Sequence, residues 1–176
     1  MHALIVGQRG VGKSTLIRRV LETLDRPVFG FETKKEPHLE DPVRGCPIYI
    51  YDAGAAHHRS EENLIGYHRE ADPHTFTAAF DRYAPKLMGH TPENAIVELD
   101  EIGFLEAKSE NFCRAVMQLL DGDRPVIAAV KDRDIPFLES VRSHPKARCF
   151  YITEENRDEL FHEVLEFMKR QLEETI

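Results

Sequence analysis

Gly7-Gln8-Arg9-Gly10-Val11-Gly12-Lys13 is followed by Ser14 and Thr15, and this G-x-x-x-x-G-K-S spacing is that of a phosphate-binding loop. Glycines let successive backbone N–H groups turn inward and form a concavity for phosphate oxygens. Lys13 brings a full positive charge for the β- and γ-phosphates, and the Ser14 hydroxyl is a hard oxygen ligand for Mg²⁺. A helix starting at the loop adds unpaired N–H groups and roughly half an elementary positive charge at its first turn. The spacing predicts that Gly7 through Thr15 bind a nucleoside triphosphate.

A second chemical feature lies at Asp100-Glu101, directly after the apolar run Ala95-Ile96-Val97-Glu98-Leu99. Acidic side chains there emerge at the C-terminal edge of a strand, where open α/β sheets bind ligands. Asp100 is placed to hold Mg²⁺ opposite Ser14, directly or through water. Glu101, one position on, is placed to orient and polarise a water for in-line attack on the γ-phosphate. A kinase has no use for an activated water, so the pair favours hydrolysis over transfer. The bland alternative for Glu101 is a solvated loop acid.

These groups need elements to position them. Ala3-Leu4-Ile5-Val6 reads as a buried strand before the loop, and Leu16, Ile17, Val20, Leu21 and Leu24 as the buried stripe of a helix behind it. Val28–Thr33 and Pro47–Asp52 read as strands that could pair as a hairpin across a long polar connection. Residues 55–74 are the least regular part. His57, His58, His68 and His74 fall there without the spacing of a metal site, so the expectation is a solvated loop. Phe76, Ala79, Phe80 and Tyr83 predict a helix ended by Pro85; Phe112, Ala115, Val116, Leu119 and Leu120 predict another, N-capped by Ser109. Val126–Val130 and Arg148–Ile152 are apolar strands flanking a short helix over 135–141. Asn156 and Glu159 resemble a capping box before a last helix. Alternating strands and helices predict one α/β domain over 1–176, with a mainly parallel central sheet covered by helices on both faces.

The formal net charge of −8 argues against a nucleic-acid partner. Cys46, Cys113 and Cys149 are scattered, odd in number and without C-x-x-C spacing, which predicts neither a disulfide framework nor a zinc site. No apolar run approaches the roughly 20 residues needed to span a bilayer. A core strand begins almost at once, leaving no room for a signal peptide. The expectation is a cytoplasmic protein with no membrane association.

Asp100-Glu101-Ile102-Gly103 with Glu106, Ser109 and Phe112 resembles the signature of the THEP-type, or cancer-related, nucleoside-triphosphatase family. Gly30-Phe31-Glu32-Thr33, Gly66-Tyr67 and Glu155-Asn156-Arg157-Asp158 agree in order, so the resemblance spans nearly the whole chain. The chain departs from the family pattern at Cys46-Pro47-Ile48, where Gly-Phe is usual, and over 55–74. The resemblance implies a RecA-like P-loop NTPase fold and slow Mg²⁺-dependent hydrolysis of ATP, GTP and other triphosphates to diphosphate and phosphate. It also implies that the strand at 126–130 lies between those at 3–6 and 95–99, aiming Lys131 or Arg133 at the γ-phosphate. A catalytic arginine stays open among Arg9, Arg133, Arg148 and Arg157. For Arg157, the alternatives are packing near the nucleobase and a structural salt bridge. Two other readings remain beside hydrolysis: a nucleotide or small-molecule kinase with its acceptor pocket in 55–90, and a nucleotide-dependent switch.

Overall fold

An all-apolar strand such as Ala3-Leu4-Ile5-Val6 is stable only when both of its faces are covered, and the fold is built around that requirement. The computed structural model describes residues 1–68 and 74–173, and of His74 the backbone alone. In chain order the elements are β1 (His2–Gly7), α1 (Lys13–Leu24), β2 (Val28–Lys35), β3 (Cys46–Asp52), β4 (Leu64–His68), β5 (His74–Thr75), α2 (Thr77–Leu87), β6 (Ile96–Ile102), α3 (Glu110–Asp121), β7 (Val126–Lys131), α4 (Pro136–Arg142), β8 (Ala147–Tyr151) and α5 (Arg157–Glu173). They form an eight-stranded sheet in the order β5-β4-β3-β2-β6-β7-β1-β8. From β2 through β8 neighbouring strands are parallel, and β3, β4 and β5 extend the sheet antiparallel.

One face is covered by α1 and α5, whose Ile17, Val20, Val164 and Met168 pack with Ile5, Ile127 and Phe150. The other is covered by α2 and α3. There the ring of Phe112 sits 5.2 Å from Phe31 and 5.0 Å from Phe80, in tilted and edge-on geometries that favour aromatic contact. Each of these fully buried side chains contributes about 1.5–3 kcal/mol by leaving water. The mainly parallel α/β sheet expected from the sequence is present, with β7 inserted between β1 and β6. The hairpin of β2 and β3 forms as expected, with Glu32 opposite Tyr51 and Lys34 opposite Tyr49.

Three local expectations are corrected. The stretch 55–74 is not all loop: Leu64–His68 is β4, paired with β3, because Ile65 finds a fully buried position on the sheet. Residues 69–73 of that stretch, Pro73 among them, lie outside the described residues, as does the His74 side chain. Pro85 does not end α2, which runs on to Leu87 because Ala84 and Leu87 are buried against the core. The Asn156 side chain does not cap α5. Its Oδ1 accepts from Thr153 N at 2.8 Å and its Nδ2 donates to Tyr151 O at 2.9 Å, closing the turn after β8 instead. Ser109, by contrast, caps α3 as expected, accepting from Phe112 N.

His2 ties β1 to α3. Its Nε2 lies 2.8 Å from Leu120 O, and since a carbonyl only accepts, Nε2 carries the proton. Among the described residues Nδ1 is buried without a hydrogen-bond partner. Burial, opposed by the bond to Leu120 and aided by the N-terminal amine, His144 and Lys146, pushes the His2 pKa down to about 4. The folded protein therefore keeps the ring neutral where the unfolded chain, near pH 6.5, already takes a proton. Stability from this site is complete above about pH 6.5 and is lost as pH falls toward 4, by up to about 3 kcal/mol. Urea unfolding of the wild type should thus weaken more steeply across that interval than that of His2→Gln. Parallel profiles would remove His2 from the acid response.

Candidate active site

β1 ends at Gly7, and the chain curls through Gly10 (φ 78°) and Gly12 (φ 110°) into α1. At Gly12 the positive φ disfavours any side chain, and an added Cβ would stand 3.3 Å from Arg157 Nε. No side chain caps the first turn of α1 and no acidic residue lies in it, so its N–H groups and positive end face the loop. Lys13 is buried; its Nζ donates to Gly7 O and Gln8 O, both at 2.9 Å, and lies 3.1 Å from Glu101 Oε2. Ser14 Oγ donates to Asp100 Oδ1 at 3.0 Å. Gln8, Arg9, Gly10, Ser14 and Thr15 are exposed along the loop and its helix start, with Val11 and Gly12 half-buried.

The two carboxylates diverge because of an irregularity in β6. Asp100 is opposite Ala129, but Ile102 is opposite Val130, so Glu101 is the extra residue of a bulge. Asp100 consequently faces α1 while Ile102 joins the core beneath α3. Glu101 reaches Lys131 Nζ at 2.8 Å and Lys13 Nζ at 3.1 Å, and its own N–H donates to Thr33 Oγ1. The inserted strand β7 brings Lys131 there.

Charge is sorted across this bulge. Burial raises the Asp100 pKa to about 6; the Ser14 hydrogen bond opposes this, and Glu101 and Glu32 add to it. Glu98, two residues earlier on the same face, is pushed by burial, Glu32 and Asp100 up to about 8. Burial also pushes Glu101 up, but Lys131 and Lys13 together outweigh it and hold the carboxyl below its ordinary range. Glu106, fully buried, accepts from Gly103 N at 2.8 Å and pins the turn that follows Glu101; burial raises it to about 7.

A buried carboxyl with a raised pKa beside a hydroxyl suits a hard divalent cation, which neutralises the carboxylate and takes oxygen ligands. Among the described residues no group of three or more His, Cys, Asp or Glu side chains could hold a metal by itself. Two protein oxygens completed by phosphate oxygens and water is the pattern Mg²⁺ favours, so Ser14 and Asp100 fit it.

The arginines separate. Arg157 Nε donates to Val11 O at 2.8 Å, resting on the outside of the phosphate loop. Arg9 donates to His68 Nε2 at 3.0 Å. Arg148 pairs with Glu163 and stacks over Phe150 on the α5 side, away from the carboxylates. Arg133 follows Lys131 in a turn held by Arg142, whose Nη1 donates to both their carbonyls. His57 stacks on Tyr51 at 4.2 Å.

Sequence reading overlooked Glu98, Glu32 and Lys35 as parts of this region. A glutamate inside an otherwise apolar strand was the available signal for Glu98. Gly30 was the signal for the close approach of β2 and β6: at φ 122°, an added Cβ would lie 2.0 Å from Glu98 O. Gly30→Ala is expected to cost at least about 2 kcal/mol, or roughly 4–8 °C in Tm, measured by thermal unfolding. An unchanged Tm would show that the two strands do not depend on this contact.

A family model described as NTPase matches residues 2–165. Nucleoside-triphosphatase THEP1 of Thermotoga petrophila is 30% identical over 170 residues, 96% of this chain and 93% of that protein. The cancer-related nucleoside-triphosphatase homolog of Bos taurus is 27% identical over 183 residues, 96% of each. The crystal structure of THEP1 from Aquifex aeolicus matches with a TM-score of 0.69 at 24% identity, over 96% of this chain and 99% of that one. The solution structure of a human cancer-related nucleoside triphosphatase gives 0.67 at 22%, over 96% and 97%. At these identities the two structures speak for the fold alone.

Proposed function

The chain belongs to the NTPase family, in its THEP1-type branch, and on that premise we propose that it hydrolyses nucleoside triphosphates to diphosphate and phosphate with Mg²⁺. The observation that carries this reading is the meeting of the two motifs: Lys13 at 3.1 Å from Glu101, and Ser14 at 3.0 Å from Asp100. The loop amides and Lys13 bind the β- and γ-phosphates. Ser14 and Asp100 would hold Mg²⁺, which would supply charge neutralisation on the phosphate oxygens. Glu101 accepts a hydrogen bond from a water and aims its oxygen at the γ-phosphorus. The new P–O bond forms as the bond to the β–γ bridging oxygen breaks, and that electron pair leaves with the diphosphate. The water's proton passes to Glu101 and then to the departing phosphate.

Two lysines hold Glu101 below the usual carboxylate range, which makes it a weak base at neutral pH. Its contribution is chiefly to orient the water, and slow turnover follows. The phosphate contacts do not read the base, so ATP, GTP and other triphosphates all serve. Among the described residues no helix is long and apolar enough to cross a membrane. The three cysteines are free, and we place the protein in the cytoplasm, acting as one unit over its length.

Phosphate release with Mg²⁺ and ATP, GTP, CTP or UTP tests the reading. Glu101→Gln should lower turnover about 10²–10⁴-fold. Triphosphate affinity should hold or rise, because Lys13 loses a competing partner. Lys13→Ala should weaken binding itself. Turnover unchanged in Glu101→Gln would remove Glu101 from the mechanism. Release that appears only with an added acceptor would favour a kinase.

A further inference from the structure

On the side of Glu101 away from Ser14 lies a cleft of about 170 Å³, bounded by the start of the phosphate loop, the ends of β2, β4 and β7, and Phe104-Leu105. Its charged lining is Arg9, Lys35, Lys131 and Arg133 against Glu101 and Asp132. Glu101 is already shared between Lys13 and Lys131. Among the described residues no carboxylate pairs with Lys35 or with the Arg133 guanidinium. Burial, then Arg9 and Lys131, lower the Lys35 pKa to about 8, against the pull of Glu101, as expected where cations crowd a poorly solvated space. Ile48, Phe104 and Leu105 supply apolar walls, and Lys131 Nζ lies 5.4 Å from the Phe104 ring centre. Such walls strengthen any charge interaction made inside.

Four cations from three segments, the phosphate loop, the end of β2 and the end of β7 with its turn, bring more positive charge to one place than Glu101 and Asp132 offset. The arrangement gains stability when an anion enters. Two guanidinium forks and two ammonium groups match a small tetrahedral oxyanion, which accepts several charge-assisted hydrogen bonds at once. The cleft begins at Glu101, where the attacking water stands on the hydrolytic reading, so it lies beyond the γ-phosphorus and opposite the diphosphate. We propose that this cleft is a second anion site, separate from the phosphate loop, which receives the inorganic phosphate cut from the triphosphate before it leaves the protein. The inference rests on the hydrolytic reading for the source of its ligand, and on the cation cluster for the site.

The test is a titration of inorganic phosphate into the full chain saturated with Mg²⁺ and ADP, followed by calorimetry or ³¹P NMR. Phosphate should bind while ADP stays bound. Lys35→Ala and Arg133→Ala should each weaken phosphate about tenfold, with ADP affinity kept within about twofold. Lys35→Arg, which keeps the charge, should bind phosphate within about threefold of wild type. Arg133 is exposed in a turn, so its variant tests the site without disturbing a core position. Phosphate that displaces ADP would mean the loop is the only anion site and would overturn the proposal, as would wild-type binding in both alanine variants. No turnover takes part, so this result and the Glu101→Gln result can fail independently.

Discussion

The charge on Lys13 is the constraint from which the rest of the site follows. Lys13 is 4% exposed, and a buried cation needs several partners to offset its lost hydration. Two loop carbonyls and Glu101 meet that need. On the proposed reading, an arriving triphosphate would replace Glu101 as the principal counter-charge of Lys13. Glu101 then retains Lys131, which keeps the carboxylate ionised and oriented. Placing β7 between β1 and β6 is what makes the second lysine available, because the C-terminal end of β7 opens between the phosphate loop and the acidic pair.

Asp100 and Glu101 are consecutive, yet they live in opposite electrostatic environments. On one side Asp100 joins Glu32 and Glu98, and crowding with burial raises its pKa and that of Glu98. On the other side Glu101 joins Lys13 and Lys131, with Lys35, Arg9 and Arg133 further out. A strand alone separates neighbouring side chains between its two faces. The bulge at Glu101 adds a change of aim, so the carboxylate leans along the sheet edge instead of entering the core. The acidic side attracts a cation and the basic side attracts anions. A magnesium-bound polyphosphate carries both charges, and on the proposed reading it would lie along this boundary.

Much of this was legible in the residues. The phosphate loop is legible because glycine, lysine and hydroxyl at fixed spacing have few other uses, and the apolar strand before it needs no tertiary information to be recognised. The covered faces were readable from Leu16, Ile17 and Val20 and from Phe112, Ala115 and Val116, whose period is set by the helix itself. Other features depend on partners distant in the chain. Leu64–His68 is only five residues long and is interrupted by Gly66, too short to announce a strand, and it is one because β3 offers an edge. Pro85 reads as a stop until the burial of Leu87 outweighs the lost hydrogen bond. Asn156 has two uses for its amide, and the turn after β8 takes both. Lys35 reads as an ordinary strand-end lysine; only the sheet order brings it to Arg9 and Lys131.

The outside of the phosphate loop completes the account. A backbone that turns its N–H groups toward a phosphate turns its carbonyls away from it, and those carbonyls also need partners. Lys13 takes Gly7 O and Gln8 O from within, and Arg157 takes Val11 O from the first turn of α5. With these carbonyls held, the loop keeps its curl before any ligand arrives. Binding energy from the phosphate contacts is then not consumed in ordering the loop. Arg157 braces the loop backbone from outside, which accounts for its position at the start of a helix whose buried residues serve the core.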